Sequence, residues 1–556
     1  MKRAAALRKT SGRPRTRLKW TFQALSCALF LFLFFAIAYP LPYWVPRRLF
    51  LSLDPLAALV SPFGARSFPL LAAVCLASAF VFGRAFCGYV CPLGLCIDLA
   101  RLGTGAANGV RPEKDEAVRR PPAIAGSVAP PRRRFGGIRG LEWVLLAVLV
   151  LGILLGSGLP YVLDPIVLMT RALAVAFFPG LVWAGNELLQ LIRPLLEQAG
   201  WYGVAYLSFA QPGFRTAVPT LLLLAGILML SLLAPRFWCR FLCPAGALLS
   251  VPARFSLTAR RVGDACVQCG RCRSVCPMGA VGQDPARTRR SLCLQCTACR
   301  EACPTGAISY PLRVPWAGAF APASADRAGR RFLLGLGAGS AALFLTSIES
   351  RVMKRPGRVL RPPGAIPEDD FLTACIRCDA CLRVCVTRTL RASAIDNGLI
   401  RWGTPVHRMR TAGCEQTCNL CGKVCPTGAI RDLPLIERQH AKIGTAVLRK
   451  ERCLAWAQDR LCLLCDEACP YNAIVFQVVE GKKRPFVDPS RCNGCGICES
   501  VCPVEGDAAI QVVPDGEVRL RSGSYRALLE QSRILLEPKK DRLDSADGPG
   551  LNEGER

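Results

Sequence analysis

Residues 266–277 read CVQCGRCRSVCP and residues 293–304 read CLQCTACREACP. In each, three thiols stand two residues apart, and a fourth follows three residues later, just before a proline. Three close thiolates can wrap three iron corners of one [4Fe–4S] cubane, while the fourth, turned away by the proline, reaches a neighbouring cubane. Cys266, Cys269, Cys272 and Cys303 are therefore expected to hold one cluster. Cys293, Cys296, Cys299 and Cys276 are expected to hold the other. A tetrahedral zinc site needs two C-x-x-C pairs, not a run of four closed by proline. The stretches PMGA (277–280) and PTGAI (304–308) suit tight turns in which glycine lets backbone N–H groups approach cluster sulfur.

The theme returns four times. Residues 375–385 read CIRCDACLRVC (Cys375, Cys378, Cys381, Cys385), with Val386 in place of the proline. Residues 414–426 read CEQTCNLCGKVCP (Cys414, Cys418, Cys421, Cys425), with a stretched first gap. Cys453 stands apart from CLLCDEACP at 462–470 (Cys462, Cys465, Cys469). Residues 492–503 read CNGCGICESVCP (Cys492, Cys495, Cys498, Cys502). Six quartets take 24 of the 31 cysteines, so six [4Fe–4S] clusters are expected. Disulfides dominate small secreted domains, and this regular spacing argues against them. There are two histidines, His407 and His440, and no C-x-x-C-H, which excludes multi-haem binding. Both histidines are expected to be packing or surface residues. No flavin-attachment region or dinucleotide fingerprint stands out, so no haem, flavin or nicotinamide is expected.

Seven cysteines lie outside the quartets. Cys27 and Cys75 sit in apolar runs and suit packing. Cys87 and Cys91 belong to GRAFCGYVCPLG (83–94), which Cys96 follows; Cys239 and Cys243 belong to RFWCRFLCPAG (236–246). Each C-x-x-x-C-P pair follows an apolar run, and each run follows an Asp-Pro pair, Asp54-Pro55 or Asp164-Pro165. The matched order reads as an internal repeat. If the repeats pack two-fold, Cys87, Cys91, Cys239 and Cys243 converge on one metal or redox site at the cytoplasmic membrane surface. The alternative is a structural turn closing each span. Asp54 and Asp164 are candidates for proton uptake near the outer face, since a buried carboxylate can hold a proton. The alternative is that each caps a turn before proline.

These residues need elements to position them. The chain is 51% hydrophobic yet carries a formal charge of +31, a combination typical of membrane proteins with basic cytoplasmic loops. The arginines flank apolar spans and cysteine runs and form no basic stripe, so nucleic acid is not expected as a partner. Residues 21–39, 67–83, 143–163 and 216–234 are expected to be four membrane spans, and 172–186, with Pro179 and Gly180, an interfacial or re-entrant run. Lys and Arg number eight before the first span and ten in 84–140, against three each in 40–66 and 159–215. That places the N-terminus, the 84–140 loop and the residues after 234 in the cytoplasm. Residues 329–344, GRRFLLGLGAGSAALF, read as an internal twin-arginine export signal. The run 332–348 lacks an A-x-A cleavage site and is expected to remain as a fifth span.

Together these features resemble a known pair of proteins. Residues about 15–315 resemble the NapH-type membrane ferredoxin of periplasmic nitrate-reductase systems, on the four spans, the C-x-x-x-C-P pairs and the two quartets that follow. Residues about 328–515 resemble the NapG-type exported ferredoxin, on the arginine pair, RPPGAIPEDDFLTACIRC (361–378), CEQTCNLCGKVCPTGAI (414–430), CLAW (453–456) and the last quartet. A fusion of the two accounts for an export signal inside the chain. The fold class expected is an α-helical membrane bundle of four spans plus a fifth, with α+β bacterial-type two-[4Fe–4S] ferredoxin domains. The domains expected are 1–250 (membrane), 251–315 (cytoplasmic ferredoxin), 316–350 (linker and signal-anchor), 351–520 (periplasmic four-cluster ferredoxin) and 521–556 (polar, mobile tail).

The resemblance implies that the first and last quartets of the exported half share one two-cluster unit, with Cys385 serving the last cluster and Cys502 the first. It also implies a haem-free quinol dehydrogenase of the bacterial inner membrane. Its partners would be lipid, the quinol pool, other electron-transfer subunits and a periplasmic cytochrome or reductase. Two alternatives stay open: a polyferredoxin for copper-enzyme maturation, and an electron-wire subunit without its own quinol site.

Overall fold

The computed structural model describes residues 14–36, 49–57, 59, 70–103, 140–154, 158–207, 216–312, 359–532, 534, 536 and 538. The arginine pair and the apolar run 329–348 lie outside these residues.

The N-terminal part is a bundle of apolar helices: Pro14–Ala36, Leu70–Phe82, Leu141–Leu154, Pro165–Gln198 and Ala217–Leu233. Two of these runs are long and apolar enough to cross a membrane, Lys19–Ala36 within the first helix and Pro165–Gln198. The described part of the next helix, Leu70–Phe82, has 13 residues, ~20 Å, and residues 61–69 before it lie outside the described residues. Within the expected 143–163 span, residues up to Leu154 are helical, 155–157 lie outside the described residues, and Leu159–Leu163 is a 3-10 turn. The four-span expectation thus holds only as a helical bundle with two candidate membrane helices.

The expectation for 172–186 is corrected. These residues belong to one helical run of 34 residues, Pro165–Gln198. A π-helical turn at Leu173–Phe177 shifts the hydrogen-bond register just before Pro179, where a missing N–H would otherwise break the ladder. Residues Pro165–Ala172 are buried in the bundle, whereas Phe178–Gln198 buries no residue.

The internal repeat is visible in the elements. Leu70–Phe82 leads through Ala85–Tyr89 to Pro92–Gly103, and Ala217–Leu233 leads through Phe237–Phe241 to Pro244–Ala253. Each C-x-x-x-C-P motif joins the last two helices, with its proline at N1, where a missing N–H costs nothing. The Cys243 thiol accepts a hydrogen bond from the Gly246 N–H (3.2 Å) as the helix cap.

The cysteine quartets lie in compact regions of short helices and two-stranded antiparallel sheets. Arg261–Val262 pairs with Ile308–Ser309, closing the first such region. Leu390–Ala392 pairs with Pro405–His407, Thr445–Leu448 with Ile510–Val513, and Ile474–Val479 with Lys482–Val487. The region expected as a mobile tail is partly folded. Tyr525–Gln531 is a helix, and Tyr525 and Leu529 are buried against the second region.

Both ferredoxin-like regions dock on the bundle, at opposite ends. The first meets the end of Leu70–Phe82: Leu257 and Thr258 N–H groups donate to the carbonyls of Phe80 and Val81 (3.0 and 3.1 Å). The second meets the residues after Leu141–Leu154: the Gly158 N–H donates to the Leu372 carbonyl (2.9 Å). Trp143, at the start of that same helix, lies under the Arg254 guanidinium, 5.9 Å from the ring centroid, on the side of the first region. One continuous apolar core contains Leu294 and Met278 of the first region, Leu149, Leu168 and Ile227 of the bundle, and Ile376, Cys378 and Val384 of the second.

Candidate functional site

Four cavities are each lined by four cysteines. Cys266, Cys269, Cys272 and Cys303 surround one of about 320 Å³, and Cys276, Cys293, Cys296 and Cys299 surround one of about 350 Å³. Cys375, Cys378, Cys381 and Cys425 line a third (about 370 Å³), and Cys469, Cys492, Cys495 and Cys498 a fourth (about 330 Å³). Cys385 lies beside Cys414 and Cys421, with Cys418 close by. Cys502 lies beside Cys453, next to Cys462, and Cys465 neighbours both Cys453 and Cys462.

The pairing implied by the resemblance is therefore corrected. In the second region the first quartet exchanges its remote cysteine with the second, and the third with the last. Packing is the reason. The short helices Ala380–Arg383 and Leu420–Val424 lie against each other, as do Leu464–Glu467 and Ile497–Val501, so each remote thiol reaches its neighbour in sequence. The Cys414 N–H donates to the Cys495 carbonyl (2.7 Å), which sets the second and last quartets side by side.

The donors fit cubane clusters. The backbone N–H groups of Ala280, Ile430, Ala473 and Ala509 point at the sulfurs of the remote cysteines Cys276, Cys425, Cys469 and Cys502 (3.3–3.4 Å). Gly279 and Gly428 supply the left-handed turns before two of these donors, and Asn472 takes that conformation before Ala473. Burial pushes the thiols of Cys293 and Cys465 up to about 12, so thiolates there require the positive charge of iron. Among the described residues, no three His, Cys, Asp or Glu side chains converge closely enough to ligate a single metal ion. A cubane, by contrast, holds its four thiols apart.

The C-x-x-x-C-P cysteines do come together. Cys87, Cys91, Cys239 and Cys243 line one cavity of about 440 Å³. Cys87 and Cys239, on the short helices Ala85–Tyr89 and Phe237–Phe241, and Cys243, the cap of Pro244–Ala253, are buried in the bundle. The repeats clasp each other here: Arg84 donates to the Cys239 carbonyl (3.2 Å) and Arg236 to the Cys87 carbonyl (2.9 Å). Arg236 is held in turn by Asp98 (2.7 Å), which also binds Lys19 (2.9 Å).

Asp54 and Asp164, expected at the far end of the bundle from these cysteines, lie close to them instead. Both are fully buried, lie beside each other, and Asp54 lines the cysteine cavity. Each caps a turn. Asp54 Oδ1 accepts from the Leu56 N–H (3.0 Å), and Asp164 Oδ1 accepts from Ile166 and Val167 (2.9 and 3.0 Å). The Oδ2 atom of each is buried and receives no donor. Capping and carboxyl pairing thus coexist. The sequence carried the capping signal but nothing that showed the two residues meeting.

Cys75 is buried and Cys27 half-buried. His407 is buried, and burial, with Arg438 nearby, pushes its imidazole down to about 3, so it packs as a neutral residue.

A chain built around cysteine quartets that converge in this way is an iron–sulfur electron-transfer protein of ferredoxin type. Comparison with known proteins agrees. Residues 265–308 and 460–505 match families described as 4Fe-4S dicluster domains, and residues 66–105 and 216–263 match one described as a 4Fe-4S binding domain. The methylamine utilization ferredoxin-type protein MauM of Methylorubrum extorquens is 40% identical over 183 residues, covering 31% of this chain and 81% of MauM. The ferredoxin-type protein NapG of Escherichia coli is 37% identical over 192 residues, 32% of this chain and 80% of NapG. The ferredoxin-type protein NapF of E. coli is 31% identical over 152 residues, 27% of this chain and 84% of NapF. The chain belongs to this family of ferredoxin-type proteins. No solved structure matches it.

Proposed function

We propose that this protein is a membrane-bound quinol dehydrogenase without haem, built as a NapH-like membrane unit fused to a NapG-like exported unit. Its six cysteine quartets would hold six [4Fe–4S] clusters, each supplying a one-electron relay, so that the two electrons of a quinol leave singly. The recipient is a redox protein of the periplasm, a cytochrome or reductase. The word methylamine in the name of MauM offers a second physiological setting beside nitrate respiration.

One observation carries the reading: the two ferredoxin-like regions dock at opposite ends of one helical bundle and share its apolar core. A soluble carrier has no use for such a bundle, and a carrier confined to one side of a membrane has no use for docking at both ends. The order of quartets supports it further. The Cys293 quartet abuts the bundle through Leu294, which packs on Gly88, and the Cys375 quartet abuts it through Arg377. Beyond Cys375 the second region continues to the Cys414, Cys492 and Cys453 quartets. Beside the last of these, Leu461 and Leu464 are exposed, an apolar patch suited to meeting a redox partner. Quinol is placed within or beside the bundle, with Asp54 and Asp164 as its proton acceptors.

The test is topology. A labelling-accessible tag at the C-terminus is expected to react in intact cells. Reaction only after permeabilisation would put the second ferredoxin region in the cytoplasm and overturn delivery to the periplasm.

A further inference from the structure

The cavity between the two C-x-x-x-C-P motifs serves no role in the six-cluster account, yet it is built like the other cysteine cavities. Four thiols line it, two from each repeat. Its enclosed space is like that of the cavities lined by the quartets. Proline at N1 fixes the chain direction directly after Cys91 and Cys243. A structural turn closing each span would need neither thiols on both arms nor the convergence of the two turns.

Two further observations point to an occupant that accepts hydrogen bonds, in a cavity that Asp54 also lines. Arg84 lines the cavity, is 2% exposed, and its Nε has no hydrogen-bond partner. Trp238 lines it too, is 4% exposed, and its indole N–H is also without a partner. Buried donors left unpaired cost free energy. Sulfide and thiolate sulfur, carrying the net negative charge of a four-thiolate cluster, would accept from both. A single metal ion fits less well, because the thiols do not converge as its ligands would.

We propose that Cys87, Cys91, Cys239 and Cys243 together ligate one additional [4Fe–4S] cluster in the interior of the bundle, one site shared by the two repeats. The position gives it a use that rests on the function proposed above. Arg236 touches the Cys87 carbonyl and is an electrostatic neighbour of Cys296 of the first region. On the other side, Pro165 lines the cavity, and Arg171, six residues on and so ~9 Å along the helix, donates to the Arg377 carbonyl beside Cys378. The site therefore stands between the two docked regions. A one-electron carrier there would take an electron from one side and pass it to the other, with no net change of its own.

The experiment is anaerobic iron and acid-labile sulfide analysis of the purified full-length protein, with EPR of the reduced form. Cys87→Ser/Cys239→Ser is expected to lose about four irons and four sulfides per chain and one EPR signal, with the ferredoxin signals retained. Cys91→Ser/Cys243→Ser should lose the same signal, and Cys75→Ser none. Should the paired variants not fold, the wild type decides alone, since it should carry about four irons more than six quartets hold. Unchanged iron in folded variants, or bound copper at the site, overturns the proposal, and a loss of about two irons overturns the cubane assignment. A wild type with the additional cluster but no quinol oxidation would defeat the quinol reading and leave this site standing.

Discussion

Arg171, buried in the helical bundle, donates through Nε to the backbone carbonyl of Arg377 at 2.8 Å, in the first cysteine loop of the second ferredoxin region. Its guanidinium also lies 3.8 Å from Asp379, which is 3% exposed and has no hydrogen bond to either carboxylate oxygen. One side chain of the bundle thus neutralises a buried carboxylate and holds a cluster loop. Removing one partner of a buried pair costs ~3–5 kcal/mol, because it strands the other charge. Arg171→Met is expected to loosen this docking and slow electron transfer between the two regions, with iron content retained. Hydrogen exchange of residues 372–379 checks it; unchanged protection would mean that the contact does not hold the regions together.

The exchange of remote cysteines predicts which substitutions act on the same cluster. Cys425→Ser should perturb the EPR signal that Cys378→Ser perturbs, and the double variant should add little, as expected for residues acting on one centre. Cys469→Ser should do the same with Cys495→Ser. If instead Cys385→Ser alters the signal of the Cys495 cluster, the pairing of neighbouring quartets is wrong.

Asp54 and Asp164 can be separated into capping and proton roles. Asparagine caps a helix about as well as aspartate, whereas alanine forfeits ~1 kcal/mol. Asp54→Asn/Asp164→Asn should therefore fold, and quinol oxidation should fall by roughly a hundredfold or more, the low end of what a positioned proton acceptor contributes. Unchanged turnover across pH in that variant would leave both residues as caps only.

Glu368 makes a prediction about acid stability. Burial alone raises its carboxyl, but the hydrogen bonds and charges of Arg361 and Arg519 outweigh that and hold it at about 2, against an ordinary 4.5. Arg361 Nη2 stands 2.7 Å away, Arg519 Nη1 2.6 Å and Arg401 Nε 3.0 Å. A carboxyl depressed on folding contributes stability that is full above its unfolded value and is lost as pH falls through the folded one. The difference in urea stability between wild type and Glu368→Gln should be on the order of 2–3 kcal/mol at pH 6 and shrink below about pH 4.5. A difference independent of pH would place the effect in packing instead of charge.

The cluster chemistry was legible in the sequence because it is local. Three of each quartet's thiols lie within a short span in most motifs, and that spacing leaves little else for them to do. The matched Asp-Pro and C-x-x-x-C-P pairs likewise announced a repeat. What lay beyond the sequence was everything that depends on one element meeting another. Cys425 and Cys469 find their clusters through the packing of short helices, which residue spacing does not encode. Residues 172–186 looked like a short broken run because of Pro179, but a π turn one step earlier absorbs the missing N–H and the helix runs on. The tail looked polar, yet Tyr525 and Leu529 bury one face of its helix Tyr525–Gln531. Asp54, Asp164 and the four C-x-x-x-C-P cysteines were each visible as single residues, and only the folding of two repeats into one bundle brought them to a common interior site.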